Sequence, residues 1–257
     1  MADKFAIVTG ASSGIGLEIA RIAARDGYDL LVAADTPLAD TGAQLRAEGT
    51  NIATVETDLA TLEGVDRLLD AAAGRPVDVL VANAGTGQGG AFLDQQVARW
   101  RHVIDTNITG TIYLLQQALR PMVARDAGKV LVTGSIAGYI PGSFNAVYNA
   151  TKAFLDNFTE ALRNELKGAT GVTLTTLMPG PTDTEFFARA DMLDTEIGQA
   201  EKADPAEVAR DGWEALMAGK GHVVSGLFNK LQVAGSGVMP QSVLAEMHRK
   251  QAKPHDA

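Results

Sequence analysis

The chain has 257 residues, of which 46% are hydrophobic and 21% are charged, as in ordinary globular proteins. Its 22 Lys and Arg residues against 31 Asp and Glu residues give a net charge of −9, which argues against a nucleic-acid partner. It has no cysteine, and its four histidines lack metal-ligand spacing, so we expect no disulfide and no metal site. No apolar run reaches membrane-spanning length, so the default expectation is a soluble, cytoplasmic protein without a membrane partner.

The first predicted unit is a strand, a glycine-rich turn and a helix. Phe5–Thr9 has the pattern of a buried strand, and Leu17–Arg25 has helical periodicity. Glycines let a backbone turn tightly beside a phosphate, and a helix N-terminus offers unpaired N–H groups. The spacing Gly-x-x-x-Gly-x-Gly differs from the common dinucleotide fingerprint, so a plain strand–helix turn stays open. The candidate cofactor residues of this turn are Gly10, Ser12, Ser13, Gly14, Ile15 and Gly16.

Asp35 follows the second predicted strand. It lies close to the spacing of about 20 residues from the glycine turn at which an acid binds the adenine ribose. Thr36-Pro37 can supply the N-cap and first-turn proline of a predicted helix over Leu38–Ala47. We therefore expect Asp35 to be free to bind a ligand.

Two further strand ends carry candidate cofactor residues. Asp58 and Leu59 follow the third strand, where Asp58 either reaches an adenine or caps the next helix. Asn83, Ala84 and Gly85 follow the fourth strand, and small residues there let a cofactor approach the backbone.

A long helical stretch is predicted over Val97–Leu119. Asn107 and Thr109 are poor helix-interior residues, so we expect a local distortion with a functional role near Asn107–Gly110.

The strand Lys129–Gly134 is followed by Ser135 at its carboxyl end, where ligands bind in open α/β sheets. Tyr148 and Lys152 are one helical turn apart on the predicted helix Tyr148–Lys167, so they share a face. A neighbouring ammonium favours the phenolate, which could turn the tyrosine into an acid/base. An exposed helical pair is the alternative for these two residues alone.

The remaining elements continue the alternation of strands and helices. A strand over Val172–Leu177, a helix over Pro205–Ala218 capped by Asp204, and a short strand over His222–Ser225 are predicted, with one more helix possible over Val238–Lys250. Such alternation without a linker predicts the α/β class: one Rossmann-type, doubly wound parallel sheet of about seven strands in a single domain.

These motifs together resemble the short-chain dehydrogenase/reductase family over nearly the whole chain. Each motif is weak alone, but their order at successive strand ends is specific. One departure is Ala82, where the family usually has a second asparagine before Asn83. The motifs are Thr9–Gly16, Asn83-Ala84-Gly85, Asn107, Ser135, Tyr148–Lys152 and Pro179-Gly180.

The resemblance implies a catalytic tetrad around a nicotinamide cofactor. Tyr148 would exchange a proton with the substrate oxygen, and Ser135 would donate a hydrogen bond to that oxygen. Lys152 would lower the tyrosine pKa and hold the nicotinamide ribose. Asn107 would hold a water that links Lys152 to solvent. Further cofactor contacts are implied for Pro179, Gly180, Thr182 and Thr184.

The charge near the glycine turn favours NAD(H) over NADP(H). A 2′-phosphate needs a cation, whereas this chain has Asp35 after the second strand and Ser13 in the turn. NADP is not excluded, because another loop could bring a cation near. An NADPH-dependent carbonyl reductase is thus the nearest alternative, and a non-catalytic dinucleotide-binding protein is a more distant one.

The family keeps a mobile cover over the substrate in the segment that corresponds to residues 182–200. Here it carries Phe186, Phe187, Met192, Leu193 and Ile197, which either line the pocket or simply pack on the body. Few charges are expected near the pocket, so a neutral, fairly apolar secondary alcohol or ketone is the expected substrate. The resemblance also implies a homotetramer or homodimer.

Overall fold

The central strand β1 (Phe5–Thr9) is buried along its whole length. Its side chains alternate between two apolar clusters, with Ala6 and Val8 on one face of the sheet and Phe5 and Ile7 on the other. Successive strand residues point to opposite faces, so a continuous apolar run is suited to a strand that helices cover on both sides.

The computed structural model describes residues 4–255, and it confirms the predicted sheet. Seven parallel strands pair in the order β3-β2-β1-β4-β5-β6-β7. The order reverses between β1 and β4, and ligands of such sheets bind beside the carboxyl ends of the strands at this reversal. The other strands are β2 (Asp29–Ala34), β3 (Ile52–Glu56), β4 (Val79–Ala82), β5 (Gly128–Thr133), β6 (Val172–Met178) and β7 (His222–Val224).

Helices cover both faces of the sheet. On one face α1 and α9 pack against each other and on the strands, and on the other face α3 and α5 bury their apolar sides. None of the helices described is long and apolar enough to cross a membrane. The helices are α1 (Gly14–Arg25), α2 (Ala39–Arg46), α3 (Leu62–Ala71), α4 (Val97–Ile104), α5 (Thr111–Ala124), α6 (Ala146–Glu165), α7 (Phe186–Arg189), α8 (Glu196–Gln199), α9 (Pro205–Met217), α10 (Leu227–Ser236) and α11 (Gln241–Ala252).

The expected break in the long central helix is a π-helical turn. It spans Asp105–Gly110 between α4 and α5, and it contains the fully buried Asn107. A π-turn adds one residue to a helical turn and often marks a functional site. The distortion is confirmed at the predicted place.

The predicted cap of α2 is wrong. The helix begins at Ala39, its N-cap residue is Leu38, and no side chain caps it. Instead, the Leu38 N–H donates to Glu56 Oε1 at 2.9 Å, so a side chain from the adjacent strand replaces the local cap. Thr36-Pro37 therefore has no capping role.

Helix α10 was not expected from the sequence. Its apolar residues Leu227, Phe228 and Leu231 are 74%, 77% and 64% exposed, so they show none of the usual pattern of a core-facing stripe. The helix capped by Asp204 is confirmed, because the Asp204 carboxylate accepts the Ala206 N–H at 2.9 Å.

Truncation of a fully buried strand residue should cost much more than truncation of an exposed one. Leu80 on β4 is 0% exposed, and Leu193 is 58% exposed. Leu80→Ala should lower the free energy of unfolding by about 2–5 kcal/mol, because it removes buried apolar contacts and leaves a cavity. Leu193→Ala is the control in urea unfolding. Equal losses for the two variants would contradict the assigned core.

Candidate active site

A cavity of about 540 Å³ follows the carboxyl ends of the strands. It brings together nearly all of the residues that the sequence singled out. Gly16 and Asn107 are the exceptions, since both lie behind its wall. The predicted residues that line it are Gly10, Ser12, Ser13, Gly14, Ile15, Asp35, Asp58, Leu59, Asn83, Ala84, Gly85, Ser135, Tyr148, Lys152, Pro179, Gly180, Thr182 and Thr184.

The glycine turn is shaped by its backbone. Gly10 and Gly14 have φ of +63° and +56°, the left-handed region that favours glycine. A Cβ at Gly16 would overlap the Gly10 carbonyl and the Asn83 amide, so Gly16 serves close packing rather than contact with a ligand. No side chain caps α1 at Ser13, and its first residues, Gly14 and Ile15, line the cavity. This cradle fits a pyrophosphate group.

A hydrogen-bond network fixes the strand ends below the cavity. The Thr9 hydroxyl donates to Val81 O and accepts the N–H groups of Asn83 and Ala84, at 2.9–3.1 Å. The Asn83 amide donates to Thr9 O at 3.1 Å, and its oxygen accepts the Thr133 hydroxyl at 3.1 Å. The Asn83 side chain therefore joins the ends of three strands beside the cavity that the residue lines.

Lys152 is buried at the end of β5. Its Nζ donates to Thr133 O at 2.7 Å. Burial lowers the Lys152 pKa to about 8, and the nearby Asp156 carboxyl opposes that shift. The amine therefore still carries its proton at neutral pH but loses it more easily than an exposed lysine would.

Tyr148 lies on the cavity wall, and its ring stands 4.8 Å from the Phe186 ring, centroid to centroid. Burial raises the Tyr148 pKa to about 12; the Ser135 hydroxyl opposes the shift and Asp156 adds to it. Loss of solvent around the phenol dominates this shift, and the lowering of the pKa by Lys152 stays a prediction. The phenol is therefore a proton donor rather than a phenolate at neutral pH.

The Ser135 hydroxyl is already engaged with the backbone. It donates to Pro179 O at 3.3 Å and accepts the Ala137 N–H at 3.1 Å. The long bond to Pro179 is a weak one, so the hydroxyl can turn towards a substrate oxygen at small cost. Pro179 thereby orients the serine as well as lining the cavity.

Asn107 holds the backbone instead of lining the cavity. Its Nδ2 donates to Thr86 O and to Thr151 Oγ1, both at 2.9 Å, and its Oδ1 accepts the Thr86 N–H at 2.9 Å. Both amide hydrogens are used within the protein, and the predicted water between Lys152 and solvent stays a prediction. Asn107 is a positioning residue that joins the π-turn to the loop after β4 and to α6.

Residues of the predicted cover segment line the cavity. Thr184 lies directly against Gly14, and Phe186, Phe187, Met192 and Ile197 line the cavity; Leu193 does not. Met192 and Phe187 also pack on the body of the protein. Both expected roles for these apolar residues are thus present at once.

The two acidic cofactor candidates differ in their surroundings. Asp35 is exposed at the cavity edge, and its Oδ1 lies 3.7 Å from Nη1 of Arg189 in α7. Asp58 Oδ1 accepts the Ala60 N–H at 2.9 Å, while Thr61 caps α3. The capping alternative for Asp58 is therefore wrong, and the residue stays on the cavity wall.

The sequence interpretation missed several residues that hold the site. Thr133 binds Lys152 through its backbone carbonyl group. Every residue has such a carbonyl, so the residue type gave no sign of this role. Arg189 is distant from Asp35 in sequence and meets it only through the fold. Asp156 did have a signal, because it stands one helical turn beyond Lys152. Thr9 and Thr151 stand within the motifs quoted from the sequence but receive no role of their own there, and the residues missed entirely are Thr86, Thr133, Asp156 and Arg189.

Comparison with known proteins gives consistent matches. Residues 4–193 match the family model described as short chain dehydrogenase. An uncharacterized oxidoreductase of Staphylococcus aureus strain MW2 is 33% identical over 213 residues, which cover 81% of this chain and 89% of that protein.

Two solved structures match nearly the full length. A short-chain dehydrogenase from Sphingobium yanoikuyae in complex with NADPH has a TM-score of 0.81 at 25% identity, covering 93% of this chain and 97% of its own. A short chain dehydrogenase/reductase from Burkholderia phymatum in complex with NAD has a TM-score of 0.81 at 27% identity. The match covers 90% of this chain and 92% of that chain.

Thr151→Val should destabilise the protein although it preserves shape. It removes the acceptor of the Asn107 Nδ2 bond and leaves a buried donor unsatisfied, which costs about 1–3 kcal/mol. Thr151→Ser retains the hydroxyl and is the matched control in urea unfolding. The assigned role of Asn107 is wrong if both variants are as stable as the unchanged protein.

Proposed function

The chain belongs to the short-chain dehydrogenase/reductase family, and we propose that it transfers a hydride between NAD(H) and a secondary alcohol or ketone. One observation carries the proposal: Ser135, Tyr148 and Lys152 line the same cavity as the glycine turn and Asp35. A nicotinamide dinucleotide fits this cavity, because left-handed glycines and a free helix N-terminus meet a carboxylate there. The glycine turn would hold the phosphates and Asp35 the adenosine ribose.

The protein residues would handle the proton. When bound, the nicotinamide supplies the hydride to the substrate carbon or accepts it from there. In reduction, Tyr148 gives its phenolic proton to the carbonyl oxygen, and Ser135 donates a hydrogen bond to that oxygen. The Lys152 ammonium stabilises the phenolate left behind. Oxidation reverses each transfer, so the alcohol proton goes to Tyr148.

The choice of cofactor depends on two opposite charges at the cavity edge. The Asp35 carboxylate supports NAD(H), since it would repel a 2′-phosphate. Arg189 supports the alternative, an NADPH-dependent carbonyl reductase, because its guanidinium lies next to Asp35 and could pair with a phosphate. We propose NAD(H), since Asp35 belongs to the strand end itself.

The cavity supports a neutral, apolar substrate. The Phe186 ring stands beside Tyr148, and Phe187, Met192, Ile197 and Ile140 add apolar wall. The cavity has more charged lining residues than expected, because Glu185, Arg189, Glu196 and Glu201 also line it. Burying a charged substrate against the apolar groups would be costly. A cytoplasmic location and assembly as a homotetramer or homodimer remain expectations that follow from the family.

Tyr148→Phe should abolish most turnover without loss of cofactor binding. The substitution removes only the hydroxyl that would move the proton, and general acid/base catalysis contributes typically about 10²–10⁴-fold. Steady-state kinetics with an alcohol and ketone panel, and cofactor titration by fluorescence, would measure both effects. Tyr139→Phe is the control, since Tyr139 contacts Met178 and does not line the cavity. Turnover near that of the unchanged protein would disprove the proposed role.

Asp35→Ala should shift cofactor preference towards NADP⁺. It removes both the ribose acceptor and the repulsion of a 2′-phosphate, and a charge-assisted hydrogen bond contributes about 1.5–3 kcal/mol. Asp35→Arg should shift the preference further. The measured quantity is the ratio of kcat/KM for NAD⁺ and NADP⁺, which should change at least about tenfold.

Arg189→Gln removes the positive charge beside Asp35 and so tests the effect of each charge on cofactor preference separately. If Arg189 supplies the cation, the double variant Asp35→Ala with Arg189→Gln should lose the gain in NADP⁺ use. Asp40→Ala, on the exposed surface of α2, is the matched control. A wild-type preference for NADP⁺, or an unchanged ratio in all Asp35 variants, would overturn the proposed cofactor.

A further inference from the structure

Asp156 is a shielded carboxyl group that the proposed mechanism does not use. It lies on α6 one turn beyond Lys152, as Tyr148 lies one turn before it, so the three share one helix face. Neither of its carboxylate oxygens is exposed to solvent, and neither accepts a hydrogen bond of ordinary geometry within residues 4–255, although the neighbouring Ser135 N–H lowers the Asp156 pKa. A shielded carboxyl group without a well-formed hydrogen bond is costly, so its presence beside a catalytic lysine requires a reason.

The loop that carries Ser135 leaves room for this carboxyl group. A Cβ at Gly134 would overlap Asp156 Oδ1, and a Cβ at Gly138 would overlap Oδ2. Neither glycine has a positive φ. These positions therefore need glycine for space and not for backbone conformation. The carboxyl group lies directly behind the residue that flanks Ser135.

The Asp156 carboxyl group influences the protonation of Lys152 and Tyr148. Burial raises the Asp156 pKa to about 7, and the Lys152 ammonium opposes that shift. In return, the Asp156 carboxylate raises the pKa values of Lys152 and Tyr148. The other ionisable groups that sense this region are Tyr139, on the loop after Ser135, and the exposed Glu160, one turn further along α6.

We propose that Asp156 is a positioning residue whose carboxylate keeps Lys152 protonated and thereby sets the pH range in which Tyr148 exchanges its proton. Lys152 pays a desolvation penalty for its charge, and Asp156 is the acidic side chain that offsets it. The charge of Lys152 in turn stabilises the phenolate that forms during turnover. This inference rests on the proposed function for its catalytic readout.

The first test compares pH profiles of kcat/KM in the full-length protein with NAD(H) and an accepted substrate. Asp156→Asn has nearly the same shape and fits between the two glycines, but it removes the charge. The pKa values of Lys152 and Tyr148 should both fall, so the profile should move to lower pH by about one unit in either reaction direction. Glu160→Gln removes a carboxylate from the same helix at an exposed position and should leave the profile unchanged.

The second test does not need turnover. Lysine side chains labelled with ¹⁵N are titrated by NMR, and Lys152→Gln identifies the Lys152 signal. Asp156→Asn should lower the Lys152 pKa, and Asp156→Ala should do the same if the asparagine variant does not fold. An unchanged Lys152 pKa in a folded variant overturns the inference, whether or not turnover is found. A lowered pKa without turnover on any substrate supports the inference and overturns the proposed function.

Discussion

The hydrogen bond from Lys152 Nζ to Thr133 O fixes a side chain of the candidate active site to the end of a central strand. An ammonium inside a protein is stable only where polar groups replace water, and here a carbonyl at the end of β5 does so. That carbonyl is available because β5 ends at Thr133 and pairs no further. A helix residue is thereby fixed to a strand end, and Tyr148, one turn away, takes its position from the same contact.

Rigidity beneath the cavity comes from side chains that never touch a ligand. The Thr9 and Asn83 groups join the ends of β1, β4 and β5, and Asn107 joins the π-turn to α6. Each of these groups uses its hydrogen-bonding capacity on the protein, which fixes the loops and the helix that carry Ser135, Tyr148 and Lys152. The segment of residues 182–200 has a different character, because it contains two short helices whose apolar side chains line the cavity.

Burial and charge act in opposite directions along one face of α6. Loss of solvent raises the pKa values of Tyr148 and Asp156 and lowers that of Lys152. The three groups are close enough to influence one another, so their protonation states are coupled. Tyr148 therefore keeps its proton at neutral pH and can donate it. The Lys152 ammonium supplies the neighbouring positive charge, and it loses its proton more easily than an exposed lysine would.

The amino-acid sequence was sufficient to predict the parallel sheet and the glycine turn, because strand periodicity and glycine spacing act over few residues. The group of Ser135, Tyr148 and Lys152 was predicted from the order of several weak motifs and their resemblance to a known family. The contacts of Asn107 with the backbone, the approach of Arg189 to Asp35 and the hydrogen bond from the start of α2 to Glu56 became visible only in the folded chain. Those outcomes depend on contacts between residues distant in the chain, and burial, which shifts the pKa of Tyr148 upwards, is a property of the whole fold.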